Sequence, residues 1–219
     1  MEGPLGVAAR RAAWPLLLAA LLAILAAPAS AGAGKGLRWA DATVTYRDKS
    51  KGAETKAVRL AIAWWNDAPG PFTFVRATGG DRADITIRSV SVQDARWDGL
   101  AETATDSRGY ISAAKLSLND VFLSGEDPEY VAEVAAHELG HAFGLPHLKD
   151  DCSLMYPSGS VATRCPGGAG AGRFFCGPQR SDVKSLVARY GGTLGSWRGT
   201  VCEGKPPRSA RAASLARSH

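Results

Sequence analysis

The feature that most constrains the fold of this 219-residue chain is the stretch HELGHAFGLPH, which runs from His137 to His147. Three of the four histidines of the chain lie within it. Residues four apart on an α-helix share one face, so His137 and His141 can direct their imidazole nitrogens at one point. Gly144 suits a sharp turn with positive φ after the helix, and His147 follows three residues later. The stretch therefore predicts a helix, a bend and three histidines brought together.

The residue types in this stretch are those of a zinc site. Zinc is commonly bound by imidazole nitrogens at about 2.0–2.1 Å. Glu138 follows His137 directly, so it projects close to a metal on that face without taking a ligand position, and it can act as a general base. H-E-x-x-H on a helix is the zinc-binding pattern of metalloproteases, and His147 adds a third ligand. The alternative is a buried histidine pair on a core helix that has no metal-binding or catalytic role.

The first 31 residues have the layout of a secretory signal peptide. A short basic region is followed by an apolar run, 12–27, and by small residues up to a predicted cleavage site after Ala31. The alternative is an uncleaved membrane anchor, which needs about 20 apolar residues. We therefore assign 1–31 to a signal peptide and 32–36 to a flexible leader, and we expect a secreted, extracellular protein. We expect no membrane span elsewhere in the chain.

The cysteines fit an oxidising compartment. All four lie in the last third of the chain, at Cys152, Cys165, Cys176 and Cys202. An even number of cysteines in a secreted protein predicts two disulfides, and three pairings are open. A structural zinc site is the rival interpretation, but the sequence has no C-x-x-C pair.

The formal net charge of +5 is concentrated in the last residues of the chain. Five basic residues and one acidic residue fall in 193–219, whereas the charges of 32–192 cancel. We therefore expect no nucleic-acid binding by the domain, and a basic, largely disordered tail over 193–219.

Hydrophobic periodicity predicts an α+β domain over 37–192. The predicted strands are 37–48, 72–77, 83–90, 99–105 and 110–119. The predicted helices are 53–68, 128–143 and 177–192. Residues 145–177 are predicted to form an irregular loop. Only one long helix falls between strands. We therefore expect a mixed, twisted sheet of about five strands packed by two helices, followed by a small irregular C-terminal part with a last helix.

The chain resembles the metzincin zinc endopeptidases, and among them the matrixins. The metzincin motif is matched at His137, Glu138, His141, Gly144 and His147, and CSLMYP supplies the methionine of a Met-turn, Met155. The segments LRWADATVTY, ADITIRS, AAHELGHAFGLPH, SLMYP and DVKSLVARYGG occur in the order of a matrixin catalytic domain. The resemblance covers 37–192 and implies a metzincin-like fold.

The resemblance also implies a role for each site residue. A substrate would add as an extended strand along 99–105, the edge strand above the cleft. The loop 158–177 would shape the S1′ pocket. The implied roles are zinc ligation for His137, His141 and His147, general base for Glu138, the Met-turn for Met155, and the S1′ wall for Tyr156 and Pro157.

The chain departs from the family in its cofactors and its control. Vertebrate-type matrixins carry a second, structural zinc bound by additional histidines, and this chain has none between 32 and 136, so we expect one catalytic zinc. No cysteine precedes Cys152, so we do not expect latency through a cysteine of a pro-segment. Calcium is compatible with the family, and its candidate ligands are Asp94, Asp98, Asp106 and Asp120.

Snapalysins, small bacterial relatives, are similar in size and in a cysteine just before the Met-turn segment. They use an aspartate as the third ligand, whereas this chain has His147. Their likeness implies a bacterial-type secreted enzyme with a Cys152–Cys165 disulfide, which leaves Cys176 to pair with Cys202.

These observations predict a secreted, monomeric zinc metalloendopeptidase. It would hydrolyse peptide bonds of protein or peptide substrates with a metal-activated water and Glu138 as the base. The alternative is a non-catalytic, zinc-stabilised extracellular binding module, which would have no need of Glu138. A third hypothesis places the function in the basic tail, as a contact to an anionic cell surface.

Overall fold

A computed structural model describes residues 37–165 and 173–203. The predicted signal peptide 1–31, the leader 32–36 and the end of the predicted tail, 204–219, lie outside the described residues, as do residues 166–172 of the predicted loop.

The described residues form seven strands and five helices. The strands are β1 (Thr43–Lys49), β2 (Thr73–Arg76), β3 (Ile85–Val90), β4 (Gly99–Thr105), β5 (Ile111–Asn119), β6 (Arg173–Gln179) and β7 (Gly199–Glu203). The helices are α1 (Gly52–Asp67), α2 (Asp120–Leu123), α3 (Pro128–Ala142), α4 (Val161–Arg164) and α5 (Arg180–Tyr190).

Five strands form one mixed sheet in the order β2-β1-β3-β5-β4. The strands β2, β1, β3 and β5 run parallel, and β4 pairs antiparallel with β5 at the edge. The register pairs Ile85 with Ala114 and Ile87 with Leu116, so that buried apolar side chains from adjacent strands lie together. The predicted α+β class with a mixed five-stranded sheet is confirmed.

The helices α1 and α3 pack against each other in the core. The indole Nε1 of Trp65, on α1, donates to the carbonyl oxygen of Ala136, on α3, at 2.8 Å. Phe143, just after α3, has edge-to-face contacts with Phe72, Phe74 and Tyr190, with ring centroids 5.7, 4.9 and 5.2 Å away. Each such aromatic pair stabilises a fold by about 0.5–1.5 kcal/mol beyond burial. The end of α3 is therefore held rigidly before the chain turns.

The C-terminal part is more regular than the sequence predicted. Residues 145–177, predicted to be loop, contain α4 and the start of β6, and the last helix begins at Arg180 because 177–179 continue β6. The predicted disordered tail contains β7, which pairs antiparallel with β6. The Cys176–Cys202 disulfide, with Cα atoms 6.0 Å apart, joins the two strands. The folded part therefore extends beyond residue 192 to at least residue 203.

Across 37–165 and 173–203, no helix is both long and apolar enough to cross a membrane.

Candidate active site

The helix α3 carries the two histidines of the H-E-x-x-H motif on one face. His137 is fully buried, and His141 is half-buried one turn later. Gly140 lies between them, where a Cβ atom would come within 3.2 Å of Met155 Cε and 3.3 Å of Trp65 Cζ2, and closer still to the Met155 sulfur. The lack of a side chain at Gly140 therefore lets the helix pack tightly onto Met155.

The chain bends at Gly144, as the sequence predicted. Gly144 has φ +89°, a left-handed conformation that favours glycine. Its N–H donates to the carbonyl oxygen of His141 at 2.8 Å, and the N–H of Leu145 donates to that of Gly140 at 2.9 Å. This is the Schellman arrangement that ends many helices. The bend returns the chain toward the helix and brings His147 back to the other two histidines.

The three histidines converge through their Nε2 atoms. The Nε2 of His147 lies 3.3 Å from that of His137 and 3.2 Å from that of His141. The Nδ1 of His137 lies 2.7 Å from the carbonyl oxygen of Leu154, and the Nδ1 of His141 lies 2.8 Å from that of Leu145. A carbonyl oxygen only accepts, so in each ring Nδ1 carries a proton, and in the neutral form of the ring Nε2 presents a lone pair.

Converging lone pairs repel unless a cation lies between them. Burial, with help from the nearby His141 ring, lowers the pKa of His137 well below its usual value, so this ring is neutral. Two nitrogens bound to one tetrahedral zinc at about 2.0–2.1 Å lie about 3.3 Å apart. The observed separations match that spacing. The donor set, the tautomers and the geometry therefore fit a zinc ion held by His137, His141 and His147.

Glu138 lies beside this group and is 2% exposed. Burial raises the pKa of the Glu138 carboxyl group to about 8. The negative charge of the nearby Asp98 also raises this pKa, whereas the hydrogen bond from the Ala101 N–H lowers it. A divalent cation close by would lower the pKa again, because it favours the carboxylate. Gly99, on β4, makes room for the side chain, since a Cβ there would lie 2.6 Å from Glu138 Cγ. Glu138 is thus fixed between α3 and the edge strand.

Met155 lies in a tight turn under the histidines and is fully buried. Asp182, from α5, was not singled out by the sequence analysis and holds this turn. Its carboxylate accepts from Leu154 N at 2.8 Å, from Met155 N at 3.1 Å and from the Ser153 hydroxyl. Burial raises the pKa of Asp182, and these hydrogen bonds oppose the rise. Because the Leu154 carbonyl orients His137, Asp182 supports that ring through the backbone.

Tyr156 and Pro157 follow the turn and are half-buried. The Arg164 guanidinium lies over the Tyr156 ring, 4.8 Å from its centroid. The Cys152–Cys165 disulfide, with Cα atoms 5.5 Å apart, closes the segment that contains both residues. Both disulfides join the pairs that the resemblance implies.

Among the described residues, no three of the calcium candidates form a common group. Asp98 accepts a hydrogen bond from the Tyr130 hydroxyl, Asp106 accepts from Arg108, and Asp120 accepts from Ser91. Within the described part of the chain, the three histidines form the one group of three or more potential metal-binding side chains.

The mixed sheet with β4 at its edge beside Glu138, together with the three converging histidines, places the chain among the metzincins. Within that class, the chain belongs to the matrixin family. The matrixin profile matches residues 37–164, which is more than half of the chain. Matrixins are zinc metalloendopeptidases and therefore hydrolases.

Similar proteins include matrix metalloproteinases of mammals. The chain is 32% identical to Matrix metalloproteinase-20 of Homo sapiens over 167 residues, which covers 70% of this chain and 32% of that protein. It is 31% identical to Interstitial collagenase of Bos taurus over 133 residues, or 55% of this chain and 28% of that protein. The chain thus spans about a third of the length of the curated relatives it matches.

Proposed function

We propose that this chain is a secreted zinc-dependent endopeptidase with one catalytic zinc. The observation that carries the proposal is the convergence of the three Nε2 atoms, with the Nδ1 atoms of His137 and His141 committed to backbone carbonyls. Two histidine orientations fixed by hydrogen bonds are typical of metal ligands, whose second ring nitrogen is held by a carbonyl or carboxylate.

When bound, zinc supplies Lewis-acid chemistry, since it lowers the pKa of water and polarises a peptide carbonyl. Glu138 acts as the general base in our proposal. Its carboxylate takes a proton from the attacking water and then delivers that proton to the leaving amine nitrogen. The contacts of Glu138 with Gly99 and Ala101 support this role. They hold the carboxylate in place next to the proposed ligand His137, and they exclude bulk water from around it. No covalent bond to the protein is needed.

We propose that the substrate adds to β4 as a further strand. The edge position of β4 supports this, because an edge strand offers backbone N–H and C=O groups for pairing. Glu138 touches the start of β4, so a peptide aligned there would lie with its backbone beside the proposed base. The half-buried Tyr156 and Pro157 would then face the side chain that follows the scissile bond, in the S1′ pocket.

We also propose export, removal of the signal peptide 1–31 and a monomeric catalytic domain that begins near residue 37. Two disulfides within the described residues are consistent with an oxidising compartment. The proposed partners are protein or peptide substrates, with no role for nucleic acid.

The test is a peptide library digested with and without a zinc chelator. We expect the wild-type chain to cleave peptides in a chelator-sensitive way. Glu138→Gln should keep zinc, measured by elemental analysis, and lose activity by at least about 100-fold, the usual effect of removing a general base. Glu129→Gln, in the first turn of the same helix, is the matched control and should retain activity. Zinc bound without any cleavage by the wild type would instead identify a zinc-stabilised binding module.

A further inference from the structure

An arginine cluster lies at the turn that joins β4 to β5, and the proposed mechanism does not use it. It consists of Arg38, Arg108 and Arg189. The guanidinium carbons of Arg38 and Arg108 lie over the Tyr110 ring, 5.1 and 5.4 Å from its centroid. A cation within about 6 Å of a ring centroid is attracted to the ring, so Tyr110 holds both guanidiniums. Arg38 is half-buried and the Arg108 side chain is 72% exposed, so an anion can reach both.

The cluster carries positive charge that the described residues neutralise only in part. Asp106 forms an ion pair with Arg108 at 3.0 Å. Neither Arg38 nor Arg189 has an ion pair among the described residues. Arg189 lies close to Arg38, since its Nη1 donates to the carbonyl oxygen of the preceding residue, Leu37, at 3.1 Å. The cluster therefore favours a negatively charged ligand.

The cluster lies at the end of the edge strand. β4 pairs with β5 up to Thr105 and Ile111, and the Ile111 N–H donates to the carbonyl oxygen of Arg38 at 2.8 Å. Ala101, whose N–H hydrogen-bonds Glu138, is four residues before Thr105 on the same strand. At about 3.3 Å per residue, the end of β4 is about 13 Å along the strand from the proposed base.

This end of β4 corresponds to the part of the substrate before the scissile bond. The segment that follows Pro157 meets the N-terminal half of α3, where Val161 N donates to Glu133 at 3.0 Å. Gly99, the first residue of β4, lies beside the same part of α3, since a Cβ there would be 2.9 Å from Val134 Cγ1. The proposed S1′ wall and the start of β4 thus share one end of the cleft, and the arginine cluster lies at the other.

We propose that the arginine cluster binds an acidic side chain of the substrate, about four to six residues before the scissile bond. This inference rests on the proposed function. A peptide that adds to β4 with its scissile bond beside Glu138 places its fourth preceding residue opposite Thr105, and the cluster lies just beyond. Guanidinium groups bind carboxylates through paired N–H donors. Among the described residues, the Nη1 atoms of Arg38 and Arg108 have no hydrogen-bond acceptor, so donors remain for a carboxylate.

The test uses matched peptides that carry glutamate or glutamine at the fourth, fifth or sixth residue before the scissile bond. At one of these positions, the wild type should cleave the glutamate peptide with a kcat/KM at least about 5-fold higher than the glutamine peptide. One exposed charge pair contributes up to about this factor, and the cluster offers more than one. The ratio should fall toward one at about 0.5 M salt, because salt screens exposed charges.

Variants of the cluster test which side chains carry the preference. Arg38→Gln and Arg108→Gln should each lower the ratio at that position to about 2-fold. Arg108→Lys keeps the charge and should keep most of the ratio. Arg108→Glu should reverse the preference, so that a peptide with lysine at that position is cleaved faster than its glutamine match. Arg59→Gln is the matched control, since Arg59 is an exposed arginine on α1, and it should keep the wild-type ratio.

The Tm of each variant shows whether it folds. Where Arg38→Gln does not fold, Arg108→Gln decides, because Arg108 is an exposed side chain in a turn. A wild-type ratio near one at all three positions would overturn the inference while leaving the protease proposal intact. Folded Arg38→Gln and Arg108→Gln variants with the wild-type ratio would do the same. A wild type without chelator-sensitive cleavage would contradict the protease proposal itself.

Discussion

Replacing Gly144 by alanine should damage both the fold and the metal site. Gly144 has φ +89°, and a Cβ there would lie 2.9 Å from the carbonyl carbon of Leu37 and closer still to its oxygen. Real Cβ atoms essentially never approach neighbours within 3.0 Å, so one of the two segments must move. The Leu37 carbonyl is itself held by Arg189 Nη1 at 3.1 Å. The part of the displacement that is taken up at Gly144 shifts the bend that carries His147.

The expected cost has two parts. A left-handed conformation costs a residue other than glycine about 1–2 kcal/mol, and overpacking a filled site costs about 1–3 kcal/mol more. At about 2–4 °C per kcal/mol for a domain of this size, Tm should fall by roughly 4–20 °C. A shift of the third histidine on the order of 1 Å should also lower activity by about 100-fold. Zinc affinity, measured by competition with a chelator, should fall as well.

Gly109→Ala is the matched control. Gly109 has nearly the same conformation, φ +83°, but a Cβ there would meet no atom within 4 Å. It should therefore lower Tm by only about 2–8 °C and leave zinc affinity unchanged. Equal losses of Tm in the two variants, with unchanged zinc affinity in Gly144→Ala, would refute the argument that the close approach to Leu37 fixes the bend.

Three further perturbations test other parts of the structure. Replacing Cys152 and Cys165 by serine removes their disulfide and should lower the free energy of unfolding, measured by chemical denaturation, by about 3 kcal/mol. An unchanged free energy of unfolding would mean that the hydrogen bonds of this segment hold it without the disulfide. Asp182→Ala should leave the buried N–H groups of Leu154 and Gln179 without acceptors, at about 1–3 kcal/mol each, whereas the N–H of Met155 keeps the Ser153 hydroxyl. Tm, measured by thermal unfolding, should therefore fall by roughly 4–24 °C, and a near-native Tm would be the contrary result. Burial raises the pKa of Glu133 from 4.5 to about 7, so the folded state holds this proton more tightly than the unfolded chain and stability falls as pH rises through that interval. The Tm of the Glu133→Gln variant minus the Tm of the wild type should therefore increase from about pH 5 to about pH 8. A difference in Tm that stays constant over this pH range would contradict the raised pKa of Glu133.

Local patterns made most of the sheet and the active-site helix predictable. Alternating or helical periodicity depends on near neighbours, so β4 and α3 were predicted to within about one residue of their observed bounds. The Gly144 bend was also visible, because a turn of this kind depends on the residue that makes it.

The C-terminal hairpin was not predictable in this way. β6 contains Gly177 and Pro178 and has no clear alternation, and its partner β7 follows only after the whole of α5. Its pairing is therefore a long-range contact that periodicity does not report. The Cys176–Cys202 link was open to two other pairings until the likeness to snapalysins was applied.

Two buried acids were also missed, although each leaves a trace in the sequence. Asp182 stands three residues after Gln179, the spacing of a capping box at the start of α5. Glu133 is a single acid in the otherwise apolar run that precedes His137. Neither trace identifies the partner, because Leu154, Met155 and Val161 are more than twenty residues away along the chain.

The sequence by itself determined which side chains can meet a metal, since the four-residue spacing of a helix and the conformational freedom of Gly144 are local properties. Only the tertiary structure decided which ring nitrogens of those side chains face the metal site and where the edge strand lies. The carbonyls of Leu154 and Leu145 set which ring nitrogen of His137 and His141 carries the proton, and strand order leaves β4 at the edge. Both depend on backbone groups brought together by folding, and every residue has the same backbone groups whatever its side chain.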